Sequence, residues 1–189
     1  SKSTCQPRGK QRWHDENYGC WYVQSTGIWK TIWMEYLNEI NIENVKITPN
    51  IDDASALFEY TLSNHDYSKD LRVVTEISYK GTIISEVSIK PDRKYFKSIV
   101  DVTNDILNDG VHLKFMLWDI NNPNLYDVKF KLYSGVELLD VVDSYFGMRK
   151  ISICKGKVLL NNQEIYQKLI LDQGYWSDTL LTPPNENAI

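Results

Sequence analysis

The stretch Asp172-Gln173-Gly174-Tyr175-Trp176-Ser177-Asp178 comes nearest, by residue type, to a place where chemistry is done. Carboxylates, an amide and two aromatic planes in one short run can hydrogen-bond a polyhydroxyl ligand and cover its apolar face, which is the chemistry of sugar recognition. Asp172, Gln173, Tyr175 and Trp176 are therefore the candidate substrate-proximal residues. The competing reading is that Tyr175 and Trp176 pack beneath their own loop while Asp172 bonds backbone. A second aromatic cluster, Trp13, Trp21, Tyr22, Trp29 and Trp33, offers either a sugar platform or a surface for packing against another domain.

Other constellations carry less. His14-Asp15-Glu16 has metal-ligating types, but consecutive residues without a strand or helix to space them do not converge on one ion, so a solvated loop is expected. His65-Asp66 and His112 stand apart from any serine or cysteine in a nucleophile elbow. Cys5, Cys20 and Cys154 form no CxxC pair, and an odd count fits a reducing compartment rather than a disulfide framework. No metal site and no cofactor is expected.

Composition narrows the partners. Among 189 residues, 21 basic and 25 acidic side chains give a formal net charge of -4. That balance argues against a phosphate-backbone partner, which basic patches serve. No apolar run reaches the ~20 residues that span a bilayer, and Ser1 to Arg8 lacks the apolar centre of a signal peptide. A cytoplasmic location away from membranes is the expectation.

The elements that must position the candidate residues are strands almost throughout. Val45 to Thr48, Ala56 to Leu62, Leu71 to Tyr79 and Thr82 to Ile89 alternate apolar and polar side chains, the period of a strand with one buried face. Lys80-Gly81 predicts a hairpin between the last two. Phe96 to Val102, His112 to Trp118, Tyr126 to Tyr133 and Leu138 to Tyr145 complete the set, the last pair joined by Ser134-Gly135. About seven short strands bounded by turn residues predict an all-β, immunoglobulin-like β-sandwich with flanking partial segments of neighbouring domains, lacking the Cys-Trp-Cys core of antibody domains.

The flanks differ in texture. Residues 1 to 37 hold four of the six tryptophans but only one strand's worth of alternation, at Ile28 to Glu35, too little for a core of their own. After Arg149, Lys150 to Ile153 and Val158 to Leu160 predict a hairpin, and Asn161-Asn162 a further tight turn. Ile165 to Leu171 predicts a strand whose Leu169-Ile170-Leu171 is apolar on both faces, as in a parallel barrel. Pro183-Pro184-Asn185-Glu186 then reads as a helix start with Asn185 as cap.

Several of these segments together carry a resemblance: Pro7-Arg8-Gly9-Lys10-Gln11, Ser25 to Glu35, Trp118 followed by Asn122-Pro123-Asn124-Leu125-Tyr126, Phe146-Gly147-Met148-Arg149-Lys150, and Leu160 to Ile165. In this order and spacing the chain resembles glycoside hydrolase family 2, the β-galactosidase-like enzymes. The resemblance implies three parts: the tail of a sugar-binding jelly roll at 1-37, the immunoglobulin-like sandwich at 38-148, and the lead-in hairpin, first strand and first loop of a (β/α)8 barrel at 149-189. It also implies a non-catalytic central domain in an enzyme that cleaves β-glycosidic bonds by a retaining two-glutamate mechanism.

Both glutamates are then expected beyond residue 189, so this chain alone is expected to be inactive, with the sugar-binding and barrel domains of the same polypeptide as partners and a glycoside as substrate. Asn185-Glu186 mimics the family's acid-bearing pair, but it follows Pro183-Pro184 at a helix start rather than ending a barrel strand. Asp172 to Asp178 would leave the top of the first barrel strand, where barrel enzymes place their sites. Family members often carry a histidine there, and this chain has none. The alternative from another class is a free-standing immunoglobulin-like carbohydrate-binding or adhesion module. The extra hairpin, two-sided apolar strand and helix start after Arg149 favour the glycosidase.

Overall fold

Alternating side chains build two antiparallel sheets in the computed structural model, which describes residues 5, 9–28, 30–66, 68–107, 114–176 and 178–188. The described chain divides into two compact units, Ser1–Glu35 with Lys168–Ile189, and Tyr36–Gln167. The second holds the sandwich. Its strands are β1 (Ile42–Asn50), β2 (Ser55–Leu62), β3 (Leu71–Tyr79), β4 (Thr82–Ile89), β5 (Tyr95–Asp101), β6 (Tyr126–Ser134) and β7 (Glu137–Phe146). One sheet has the order β1-β2-β5 and the other β4-β3-β6-β7.

Turn chemistry sets the hairpins. Lys80 and Gly81 both take positive φ (49° and 82°), the I′ geometry whose twist matches that of paired strands. Between β6 and β7 only Gly135 is left-handed (φ 58°), with Val136 beside it fully exposed.

The core lies between the inner faces. Phe58 on β2 meets Phe130 on β6 edge-on at 5.9 Å and Phe146 on β7 at 6.0 Å. Tyr60 meets Phe130 edge-on, also at 5.9 Å. Aromatic pairs favour such geometry because the positive ring edge faces the negative ring face. Ala56, Val73, Ile77, Val100 and Leu132 fill the gaps, all essentially inaccessible. The one phenol among these rings is paired: Tyr60 Oη bonds Thr75 Oγ1 at 2.8 Å and Ser98 Oγ at 3.1 Å.

The strand predicted at His112 to Trp118 is corrected. His112 and Leu113 lie outside the described residues, and from Lys114 onward there is no strand, only isolated bridges of Leu117 to Met148 and Trp118 to Pro123. Side chains satisfy this backbone instead of a neighbouring strand. Tyr126 Oη accepts the Met116 N–H at 2.6 Å, and Asn124 Nδ2 donates to Leu117 O at 2.9 Å.

After the sandwich comes a three-stranded ribbon of β8 (Ile151–Cys154), β9 (Lys157–Leu160) and β10 (Gln163–Glu164). Asn161 and Asn162 both adopt positive φ (52° and 65°) in its second turn. Asn161 Oδ1 accepts the Lys150 N–H, while its Nδ2 donates to Trp118 O. Asp52, in the β1-β2 turn, accepts from Lys150 Nζ at 2.5 Å and Asn162 Nδ2 at 3.2 Å. These bonds hold the carboxyl of Asp52 below its usual range, the Lys150 bond being the largest cause.

Ile165 to Leu171, expected as a strand, is not one. Ile165 still donates to Val158 O, but residues 166 to 171 pair with no described strand, and Leu169, Ile170 and Leu171 are 79%, 92% and 85% exposed. A strand apolar on both faces needs covering layers on both sides. The alternation at Ile28 to Glu35 likewise forms no ladder in its described part: Ile32, Trp33 and Met34 are exposed, and Trp29 lies outside the described residues.

Two outcomes are expected from the core. Phe130→Ala removes the ring that both Phe58 and Tyr60 pack on and should cost about 3 to 5 kcal/mol in chemical denaturation with an unchanged slope. The second concerns Tyr126, whose phenol burial pushes up to about 12. With the folded value raised, its contribution to stability is complete below the ordinary tyrosine value of about 10 and is lost as pH rises through the folded one. Alkaline unfolding should therefore steepen in that window. Tyr126→Phe should reduce the steepening, leaving the part due to Tyr60, whose pKa burial also raises, while costing about 1 to 3 kcal/mol at neutral pH, because the Met116 N–H loses its acceptor.

Candidate functional site

The candidate residues belong to the unit formed by Ser1–Glu35 and Lys168–Ile189, whose described part is held by a few specific bonds rather than by a sheet. Its N-terminal segment folds back on itself. Arg12 donates its N–H to Tyr22 O at 2.7 Å, and Tyr22 donates to Lys10 O at 2.8 Å, so Gln11 and Tyr22 form a parallel bridge. Gln11 tightens the loop through its amide, Oε1 accepting the Ser25 N–H and Nε2 donating to Ser25 Oγ, both at 3.3 Å. Trp13 meets Trp21 edge-on at 4.8 Å and Tyr18 at 5.5 Å.

The C-terminal segment turns at Asp172. Its Oδ1 accepts the Gly174 N–H at 2.8 Å, and Gly174 takes φ 52°, where a side chain would be strained. Trp176 and Leu180 exchange backbone hydrogen bonds of 2.8 and 3.0 Å, closing the loop between them. Between these turns the Tyr175 ring stacks on Tyr22, centroids 4.9 Å apart and planes 25° from parallel.

The result is a groove of about 490 Å³ lined by Tyr22, Asp172, Gln173, Gly174, Tyr175, Trp176 and Ala188. All four candidate residues face it. Asp172 and Gln173 are exposed, while Tyr175 and Trp176 are half-buried, so the groove has a polar lip over an aromatic wall. The Tyr175 hydroxyl is buried with no hydrogen-bond partner among the described residues. Among the described residues Asp172 is the one carboxylate in the lining, whereas cleaving a glycosidic bond takes a pair flanking it. A polar lip over aromatic planes is the combination of groups that polyol recognition uses.

Asp172 bonds backbone and Tyr175 packs on Tyr22, as the packing reading expects, and both also line the groove. Tyr22, expected in the other aromatic cluster, stacks here on Tyr175. No local signal links residues so far apart in the chain.

The remaining candidates scatter. Trp33 stands exposed with its indole N–H donating to Glu35 at 2.9 Å, apart from Trp13 and Trp21. His14 lies edge-on to Tyr18 at 4.8 Å, and His65 Nε2 sits 3.1 Å from Pro91 O. Among the described residues no group of His, Cys, Asp or Glu is placed to hold a metal ion. Glu186 opens a single 3-10 turn, Glu186–Ala188, in which the Ala188 N–H reaches Asn185 O at 3.1 Å. Cys5, Cys20 and Cys154 are exposed thiols. Among the described residues no helix is long and apolar enough to cross a membrane.

The sequence model of the family described as "Glycosyl hydrolases family 2" matches residues 40–149. A β-galactosidase of Leuconostoc mesenteroides is 29% identical over 126 residues, which is 64% of this chain and 12% of that protein. A β-glucuronidase of Streptococcus agalactiae is 29% identical over 112 residues, covering 57% of this chain and 17% of that protein. Among solved structures, the apo β-glucuronidase of Ruminococcus gnavus superposes with a TM-score of 0.51 at 20% identity, over 69% of this chain and 20% of the other. That likeness shows a shared fold. The chain spans a small part of the length of each of these proteins.

The Tyr22–Tyr175 stack should govern order in the candidate groove. Tyr22→Ala should speed amide exchange at Gln173 to Trp176 severalfold, consistent with losing a ring pair worth about 0.5 to 1.5 kcal/mol, and leave the β2, β3 and β6 amides unchanged.

Proposed function

Because the chain belongs to glycosyl hydrolases family 2, we propose that it is the central part of a retaining β-glycosidase, with the sandwich acting as a non-catalytic spacer that orients the domains on either side. The observation that carries the proposal is the family match over residues 40–149, a range that contains strands β1 to β7 of the sandwich. In this reading residues 1–37 close a sugar-binding jelly roll, 38–148 form the immunoglobulin-like domain, and 149–189 lead into a (β/α)8 barrel. The partners are those neighbouring domains of one polypeptide, and the enzyme works in the cytoplasm.

The chemistry is hydrolysis by two carboxylates roughly 5 to 5.5 Å apart. One glutamic acid protonates the leaving oxygen, and a second glutamate attacks the anomeric carbon. Water then releases the sugar with the first residue acting as base. Both belong to later barrel strands.

Within this chain, Asp172 and Gln173 accept and donate hydrogen bonds at the rim of the substrate site, and Tyr175 and Trp176 supply its aromatic wall. Among the described residues, a single carboxylate in the groove and a buried Tyr175 hydroxyl without a hydrogen-bond partner support a binding rather than a bond-breaking role. The relatives are named for galactosides and glucuronides, so β-linked hexosides of these classes are the substrates to test first.

The 189-residue chain should not release nitrophenol from nitrophenyl β-galactoside or β-glucuronide, whereas the polypeptide extended through a whole barrel should. In the extended enzyme Asp172→Ala should raise KM or lower kcat/KM by about ten- to a hundredfold, the worth of one or two polar contacts to substrate. Turnover by the short chain would overturn the proposal.

A further inference from the structure

Strands β1 and β7 are the edges of the two sheets on one side of the sandwich, and they meet at one end and part at the other. At the meeting end Ile42 donates its N–H to Asp140 Oδ2 at 2.8 Å, and Asn38 Nδ2 donates to Leu139 O. Further along, Val45, Ile47 and Pro49 of β1 and Ser144 and Phe146 of β7 line a groove of about 630 Å³, within the usual size of a ligand site. The β1 residues are the inward row of that strand, yet they remain half-exposed. Each strand pairs on one side only, β1 with β2 and β7 with β6, so two open ladder edges flank an apolar floor. Such an edge accepts an added strand.

One end of the groove carries a fixed cation. The Arg149 guanidinium lies 4.8 Å from the centroid of the Trp118 ring, and the backbone of Gly147 presses the indole so closely that a Cβ there would sit 3.1 Å from Trp118 Cβ. No carboxylate forms an ion pair with Arg149 among the described residues, and nearby Asp52 is already engaged by Lys150 and Asn162. A guanidinium is matched best by a carboxylate, which it can grip with two parallel hydrogen bonds.

We infer that the β1-β7 groove is a strand-addition site for an extended aliphatic peptide segment whose acidic side chain meets Arg149. A peptide satisfies what a lipid does not, since its backbone matches the open N–H and C=O groups while alternate side chains enter the apolar floor. A sugar has less to gain, because Trp118 is already flanked by Arg149 and Gly147.

The test uses the whole 189-residue chain, labelled with nitrogen-15, titrated with acetyl-Thr-Val-Thr-Val-Thr-Glu-amide, whose Glu shares the face of its valines, and with the same peptide ending in Gln. Saturable shifts should appear at the amides of Val45 to Thr48 and Ser144 to Arg149. Binding should weaken about tenfold for the Gln peptide and for Arg149→Met, with Arg149→Lys between, as loss of one charge-assisted contact implies. If Arg149→Met unfolds, the Glu and Gln peptides on the unaltered chain still decide. No saturable shift, shifts confined to other amides, or equal affinity for the two peptides would overturn the inference. So would shifts at the same amides on raising protein concentration without peptide, which would assign the groove to a second copy of the chain.

Discussion

Everything in the sandwich unit depends on the interlock of Phe58 with Phe130 and Phe146. Three strands on one side and four on the other each carry one apolar face, and neither sheet is stable unless that face is covered. The aromatic rings cross the gap edge-on and tie the middle strand of the small sheet to the central and edge strands of the large one. A disulfide does this work in antibody domains. Here no cysteine lies within the seven strands, and ring packing takes its place.

Polar satisfaction then shapes what leaves the core. Tyr126 lends its ring to the interior, stacking on Phe146 at 5.3 Å, and its hydroxyl to the Met116 N–H. One residue thus seals the core and pins an irregular segment that has no strand partner. The ribbon after Lys150 is treated the same way: Asn161 binds the backbone at Lys150 and Trp118, and Asp52 clamps Lys150 and Asn162. A surface ion pair contributes little alone, but a carboxylate shared between a lysine and an amide also sets direction.

The candidate groove is organised differently. A stacked tyrosine pair, an Asx-type turn and a closed loop position Asp172 to Trp176 without a sheet beneath them. Loops held by few contacts sit at the low-stability end of a structure, where binding residues are commonly found.

Much of this was legible in the residues themselves. Alternation placed β2, β3, β4, β6 and β7 to within about a residue or two, and Lys80-Gly81 and Asn161-Asn162 announced their turns, because pleat period and positive φ are local properties. The family was legible as well, through short segments in a fixed order. His112 to Trp118 and Ile165 to Leu171 misled for one reason: a strand is made by its neighbours, and period or apolarity alone cannot supply a partner. The stack of Tyr22 on Tyr175 and the parting of β1 from β7 were decided only by the tertiary structure. Each depends on residues far apart in sequence whose meeting is a consequence of packing and is encoded in neither segment alone.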